Sequence, residues 1–117
     1  MVEKETIFHK IIKGEIPSSK VSEDDDVYAF KDINPVAPFH AVLIPKKMQG
    51  LNSLSSATND HIDILGKLMV AVSKIAEENK LEKGFRTIIN SGEYAGQSVD
   101  YIHIHIISGR NFSWPPG

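Results

Sequence analysis

The sequence contains no cysteine. A disulfide scaffold and every zinc site built on thiolates are thereby excluded. Long apolar runs are missing too: the longest, residues 68–72, has five residues, against the roughly 18 that cross a bilayer. No segment is expected to span a membrane. Nor is there an excess of one charge, since 13 Lys and Arg stand against 15 Asp and Glu for a net −2 at pH 7. A nucleic acid polymer or an anionic lipid surface would find no net field to draw it in. The opening Met1-Val2-Glu3-Lys4-Glu5 lacks the basic start and apolar stretch of a signal peptide, and a cytoplasmic location is expected. What is present is one domain's worth of chain, 117 residues of which 41% are apolar. A chain of that size buries roughly two-thirds of its unfolded surface without a staple, and a single domain over 1–117 is expected.

Residues 6–14 place Ile7, Phe8, Ile11 and Ile12 on one side of a short helix that Pro17 stops. Glu23-Asp24-Asp25-Asp26 reads as a solvated acidic turn. A strand is predicted over 27–32, a stiff Pro35/Pro38 connection follows, and a second strand covers 40–45. Between 58 and 80 the positions Ile62, Leu65, Met69, Val72 and Ala76 step by three and four, with Leu68 and Ile75 widening the stripe. This is the longest helix, capped by Thr58 or Asn59, with His61 expected at the surface. Strands over 85–89 and 101–108 flank a loop of small and polar residues, 90–98. The order predicts an α+β domain with a mainly antiparallel sheet of about five strands, one short helix and one long one.

The strand Tyr101-Ile102-His103-Ile104-His105-Ile106-Ile107 carries the chemistry. Strand side chains alternate faces, so Ile102, Ile104 and Ile106 bury one face while Tyr101, His103 and His105 share the other. Three readings stand open. The histidines are partly buried and satisfied by neighbours; or they form half of a zinc site completed by His40, His9 or Asp100; or one imidazole attacks phosphorus while the second places a proton or charge on the phosphoryl group. For the last reading, the loop offers backbone N–H groups and the side chains of Asn90, Gln97 and Ser98 as a lining for phosphate oxygens.

The segment Gly96-Gln97-Ser98-Val99-Asp100-Tyr101-Ile102-His103-Ile104-His105, the ending Trp114-Pro115-Pro116-Gly117, and upstream Phe30-Lys31-Asp32-Ile33-Asn34-Pro35 and Ala37-Pro38-Phe39-His40 together resemble the histidine triad (HIT) family, in its Hint branch. The resemblance implies a HIT-like fold and a homodimer. It implies hydrolysis of purine nucleoside phosphoramidates, of the adenosine 5′-monophosphoramidase type, with no metal or cofactor. His103 then corresponds to the nucleophile that forms a nucleotidyl-histidine, His105 to the phosphate contact that assists proton transfer, and Ser98 to the hydroxyl near the leaving group. Asn90, Gly96 and Gln97 fall on the phosphate side, Ile104 is a further substrate-binding position, and His40 lies close by. Asp32 accepts from the ribose hydroxyls, and Ile7, Phe8, Phe30 and Ile33 enclose the base.

The family pattern has three alternating histidines, and Tyr101 stands where the first is expected. That position usually orients the nucleophile, and a phenol offers one hydrogen bond and no proton exchange at neutral pH. A nucleotide-binding or scaffolding protein with weak catalysis is therefore the alternative function, and a zinc-dependent hydrolase the third. His9 has no assigned role and is expected at the surface.

Overall fold

The computed structural model describes residues 4–117; Met1-Val2-Glu3, the start of the acidic opening read above, lies outside them. The short helix α1 spans Ile7–Ile12 and the long helix α2 Ile62–Glu78. The strands are β1 (Lys20–Glu23), β2 (Val27–Lys31), β3 (Phe39–Pro45), β4 (Phe85–Ile88) and β5 (Ile104–Ser108). They form one antiparallel sheet in the order β1-β2-β3-β5-β4. β5 therefore inserts between β3 and β4, which sets His105 opposite Val42 and Ile107 opposite His40.

The alternation of the strands divides the molecule into layers. Val27, Ala29, Leu43, Ile104 and Ile106 face α2 and pack on its Leu68, Ala71, Val72 and Ile75. Phe30, Val42, Ile44 and Tyr101 face the other way and pack on Phe8 of α1. β3 is covered on both sides and is buried from His40 to Pro45, as expected of a central strand between two layers. None of the described helices is long and apolar enough to cross a membrane.

Five expectations are corrected. β1 is a strand the sequence did not announce, because Lys20-Val21-Ser22-Glu23 has a single apolar residue; pairing with β2 creates it, across an irregular register between Lys20 and Ser22. The acidic turn accordingly starts at Asp24, whose carboxylate accepts from the N–H groups of Asp26 and Val27 at 2.7 and 2.9 Å. On α2 the sheet takes the Leu68, Ala71, Val72, Ile75 face while Ile64 packs on Leu51 and Ile102, leaving Ile62 and Met69 exposed. Thr58 caps the turn before α2, and His61 is buried rather than exposed, accepting from the Thr58 N–H at 3.0 Å and donating to the Gln49 carbonyl at 2.8 Å. Regular pairing on the last strand begins at Ile104, while 101–103 keep the alternation and bond elsewhere: the Ile102 N–H donates to the Leu51 carbonyl at 2.8 Å.

Candidate active site

The N-terminus of α1 is fixed by a reciprocal cap. The Thr6 hydroxyl accepts from the N–H groups of Phe8 and His9, and His9 Nδ1 accepts from the Thr6 N–H at 2.9 Å. His9 is thus a half-buried capping residue, not the surface residue expected. This anchoring lays the Phe8 ring edge-on against Phe30, Tyr101 and His103, with centroids 5.8, 5.7 and 5.0 Å apart. Between α1 and the sheet opens a cavity of about 380 Å³ whose lining includes Ile7, Phe8, Phe30, Asp32, Ile33, Ser98, His103 and His105. Eight residues singled out by sequence thus meet in one cavity. Ile11, Ile16, Pro17 and Val42 also line it; Ile11 lies one helical turn from Ile7, a spacing that could have marked it.

Other expected residues lie elsewhere. His40 and Asn90 border a smaller cavity on the far side of His105, with Val36, Ile88 and Ile107. Gln97 braces its own loop, donating to the carbonyls of Asn52 and Val99 at 2.6 and 2.9 Å and accepting from the Gly92 N–H. Gly96 is exposed at φ +79°, and the Ile104 side chain is 1% exposed in the core against α2. A larger groove of about 630 Å³, lined by Asn79, Lys83 and Arg110, contains no histidine.

The hydrogen bonds settle where each imidazole carries its proton. His103 Nδ1 lies 2.7 Å from the Tyr101 carbonyl oxygen. A carbonyl only accepts, so Nδ1 holds the hydrogen and Nε2 keeps its lone pair. His40 Nδ1 accepts from the Val36 N–H at 3.1 Å, so its proton sits on Nε2, which lies 2.8 Å from His105 Nδ1. His105 must then accept at Nδ1 and carry its own proton on Nε2. Asp32 Oδ2 stands 3.3 Å from His40 Nε2 and 3.9 Å from His105 Nδ1, while its Oδ1 accepts from the Asn34 N–H at 2.8 Å. Burial lowers the pKa of His40 and of His103. For His105, burial and the neighbouring His103 and His40 bring it to about 4, against the pull of Asp32. Near neutral pH the cluster is uncharged apart from its carboxylate.

Tyr101 is fully buried. Its hydroxyl donates to the Pro45 carbonyl on β3, and its ring packs edge-on against Phe8 and His9. Main chain, not side chain, supplies the bond to His103 Nδ1, so a phenol at this position does not remove it.

Asp32, His40 and His105 also place three ligand-type atoms within 4.8 Å of one another. They do not suit zinc. Ligation through His40 Nε2 would move the ring hydrogen to Nδ1, which faces the Val36 N–H at 3.1 Å, whereas a zinc-bound histidine donates from its second nitrogen. His9 and Asp100 are not part of this group.

Residues 13–112 match the family model described as HIT domain. The chain is 53% identical over 112 residues to the Adenylylsulfatase HINT1 of Arabidopsis thaliana, covering 96% of this chain and 76% of that one. It is 51% identical over 113 residues to the 14 kDa zinc-binding protein of Brassica juncea, covering 97% and 100%. The crystal structure of a HIT family hydrolase from Legionella pneumophila Philadelphia 1 superposes with a TM-score of 0.91 at 38% identity, covering 97% and 100% of the two chains.

Proposed function

The chain belongs to the HIT domain family, and from that premise we propose that it is a nucleotidyl hydrolase cleaving the P–N bond of purine nucleoside 5′-phosphoramidates through a covalent nucleotidyl-His103. One observation carries this reading: His103 presents an unprotonated Nε2 in a cavity that also contains a carboxylate and an apolar slot. In this reading the base lies among Ile7, Phe8, Phe30 and Ile33, and the ribose hydroxyls donate to Asp32. The phosphoryl oxygens are held by the His105 Nε2–H and by donors of the 90–98 loop, with the Ser98 hydroxyl beside the leaving group. His103 Nε2 forms a bond to phosphorus as the P–N bond breaks with its electron pair on nitrogen, which takes a proton from solvent beside the exposed Ser98 hydroxyl and departs as the amine, and the Tyr101 carbonyl steadies the charge that develops on the ring. Water then attacks the nucleotidyl-histidine, releasing the nucleotide and restoring the imidazole.

A relative named as an adenylylsulfatase supports a second substrate, the mixed anhydride of AMP with sulfate, on which the same displacement expels sulfate. The weak-catalysis alternative rested on Tyr101, and the main-chain bond to His103 speaks against it. We place the protein in the cytoplasm as a homodimer, the role that suits Met69 and Val70 on α2, Phe85 on the edge strand and Trp114, which is 82% exposed. Sedimentation at micromolar concentration checks the dimer, and a monomeric mass overturns it. Turnover of adenosine 5′-phosphoramidate by wild type and His103→Ala tests the function. A loss of at least ~1,000-fold is expected for removal of a nucleophile, and unchanged turnover refutes the assignment.

A further inference from the structure

We propose that the groove between the end of α2 and the start of β4 is a second ligand site, one that takes a compact phosphoryl-bearing anion: pyrophosphate or the phosphate chain of a nucleotide. It shares no lining residue with the cavity of the histidine cluster, and it stands apart from the reaction proposed above.

The charges of the lining point to an anion. Lys80, Lys83 and Arg110 border the groove, and Glu82 is the one carboxylate among its lining residues. Among the described residues none of these three cations is in an ion pair, whereas Lys13, Lys20, Lys46 and Lys67 each face a carboxylate. The chain as a whole is net negative, so the positive surplus here is local. Between low-dielectric walls such a surplus concentrates its field on the groove.

The hydrogen bonds remove the competing reading. A groove at the C-terminal end of a helix is ordinarily rich in bare carbonyls and draws cations. Here those carbonyls are occupied. That of Ile75 accepts from the Asn79 N–H and side-chain amide at 3.0 and 2.8 Å, that of Ala76 from the Leu81 N–H at 2.9 Å, and that of Glu77 from the Lys80 N–H at 3.1 Å. On the β4 side the Leu81 carbonyl accepts from the Gly84 N–H at 3.1 Å, and the Gly84 carbonyl from the Ser108 hydroxyl at 2.7 Å. With these acceptors occupied, the charged groups decide the ligand, and they are mostly donors.

Arg110 is set in advance. Its Nε donates to the Val36 carbonyl and its Nη1 to the Asn111 carbonyl, both at 3.2 Å, and the guanidinium lies 4.4 Å over the centroid of the Phe112 ring. These contacts hold the plane and leave the other N–H groups for a two-point contact with phosphoryl oxygens. Lys80 and Lys83 add point charges on flexible stems that can close on the same anion. At about 630 Å³ the groove exceeds one phosphate and admits a phosphate chain with or without a nucleoside, for whose apolar part Phe39 and Leu81 provide a wall.

Proton–nitrogen NMR titration of the full chain with pyrophosphate at low ionic strength, repeated with ATP, tests the site residue by residue. Saturable shifts are expected over 80–84 and 109–111. Lys80→Gln combined with Lys83→Gln should weaken pyrophosphate binding about tenfold, and Glu82→Gln should tighten it about twofold. All three side chains are exposed, and an unaltered Tm confirms that each variant folds. Equal affinities for the two probes identify the phosphate chain alone as the ligand, and tighter binding of ATP adds the wall of Phe39 and Leu81; either result supports the site. Pyrophosphate shifts confined to 90–105 place the anion in the catalytic cavity only and overturn the proposal. Groove shifts reproduced by sodium chloride at the same ionic strength overturn it too, as does a lysine double variant that binds pyrophosphate like wild type.

Discussion

Replacing Tyr101 separates what the phenol does from what its main chain does. Tyr101→Phe removes one hydroxyl and leaves the Pro45 carbonyl without that donor, in a residue that is itself among the most buried. A lost hydrogen bond of this kind costs about 1–2 kcal/mol. At ~2.1 cal/mol/K of unfolding entropy per residue, this is a fall in Tm of about 4–8 °C. The bond from the Tyr101 carbonyl to His103 Nδ1 is untouched, so turnover should stay within about threefold of wild type, a barrier change below ~0.7 kcal/mol. Tyr101→Ala also withdraws the ring from between Phe8 and His9. It should cost ~3–5 kcal/mol of stability and raise KM as Phe8 loses its support. Tyr101→His restores the family residue, but an imidazole is too short to fill the phenol's place and reach Pro45, so stability should fall with no gain in kcat. Thermal unfolding followed by circular dichroism, with steady-state turnover at pH 7, measures all three. A Tyr101→His variant that is tenfold faster and equally stable would refute the reasoning, since it would show that the side chain orients the nucleophile.

The architecture was legible where pattern and packing agree. The alternation in 27–31 and 102–106 assigned residues to the two faces correctly, because each face meets a separate apolar layer. β1 was not legible, since a four-residue edge strand with one apolar residue takes its structure from its partner. The two surface assignments that failed, His9 and His61, share a cause. Each sits three residues after a threonine and returns a ring nitrogen to that threonine's N–H, a capping role usually read from Glu or Gln. At the site, motif and alternation named the residues that meet in the cavity, but the proton positions depend on contacts no pattern encodes, such as the Val36 N–H on His40. Ser108 donates to the Gly84 carbonyl at 2.7 Å and ties β5 to the start of β4.

Three further outcomes are expected. Asp32→Asn keeps an acceptor for the Asn34 N–H but halves the capacity for ribose hydroxyls; KM should rise about tenfold, worth ~1.4 kcal/mol, and an unchanged KM would remove Asp32 from the ribose site. Acid should destabilise the fold: His105 is held at about 4 when folded against ~6.5 unfolded, so the unfolded chain binds the extra proton between these values. The stability from this group is complete above ~6.5 and lost as pH falls toward 4, by up to about 3 kcal/mol; urea midpoints that do not fall between pH 7 and 4.5 would contradict it. Gly109→Ala would place a Cβ 2.7 Å from Pro38 Cβ at a φ of +99°, costing ~1–3 kcal/mol, and a variant with an unaltered Tm would show that the 34–38 segment is free to move.

The central claim is that His103 Nε2 itself attacks phosphorus. Its most direct measurement is the stereochemical course of hydrolysis of an adenosine phosphoramidate made chiral at phosphorus with sulfur and oxygen isotopes. Two successive in-line displacements, by His103 and then by water, give net retention of configuration. Inversion would mean that water attacks directly, and would contradict the account.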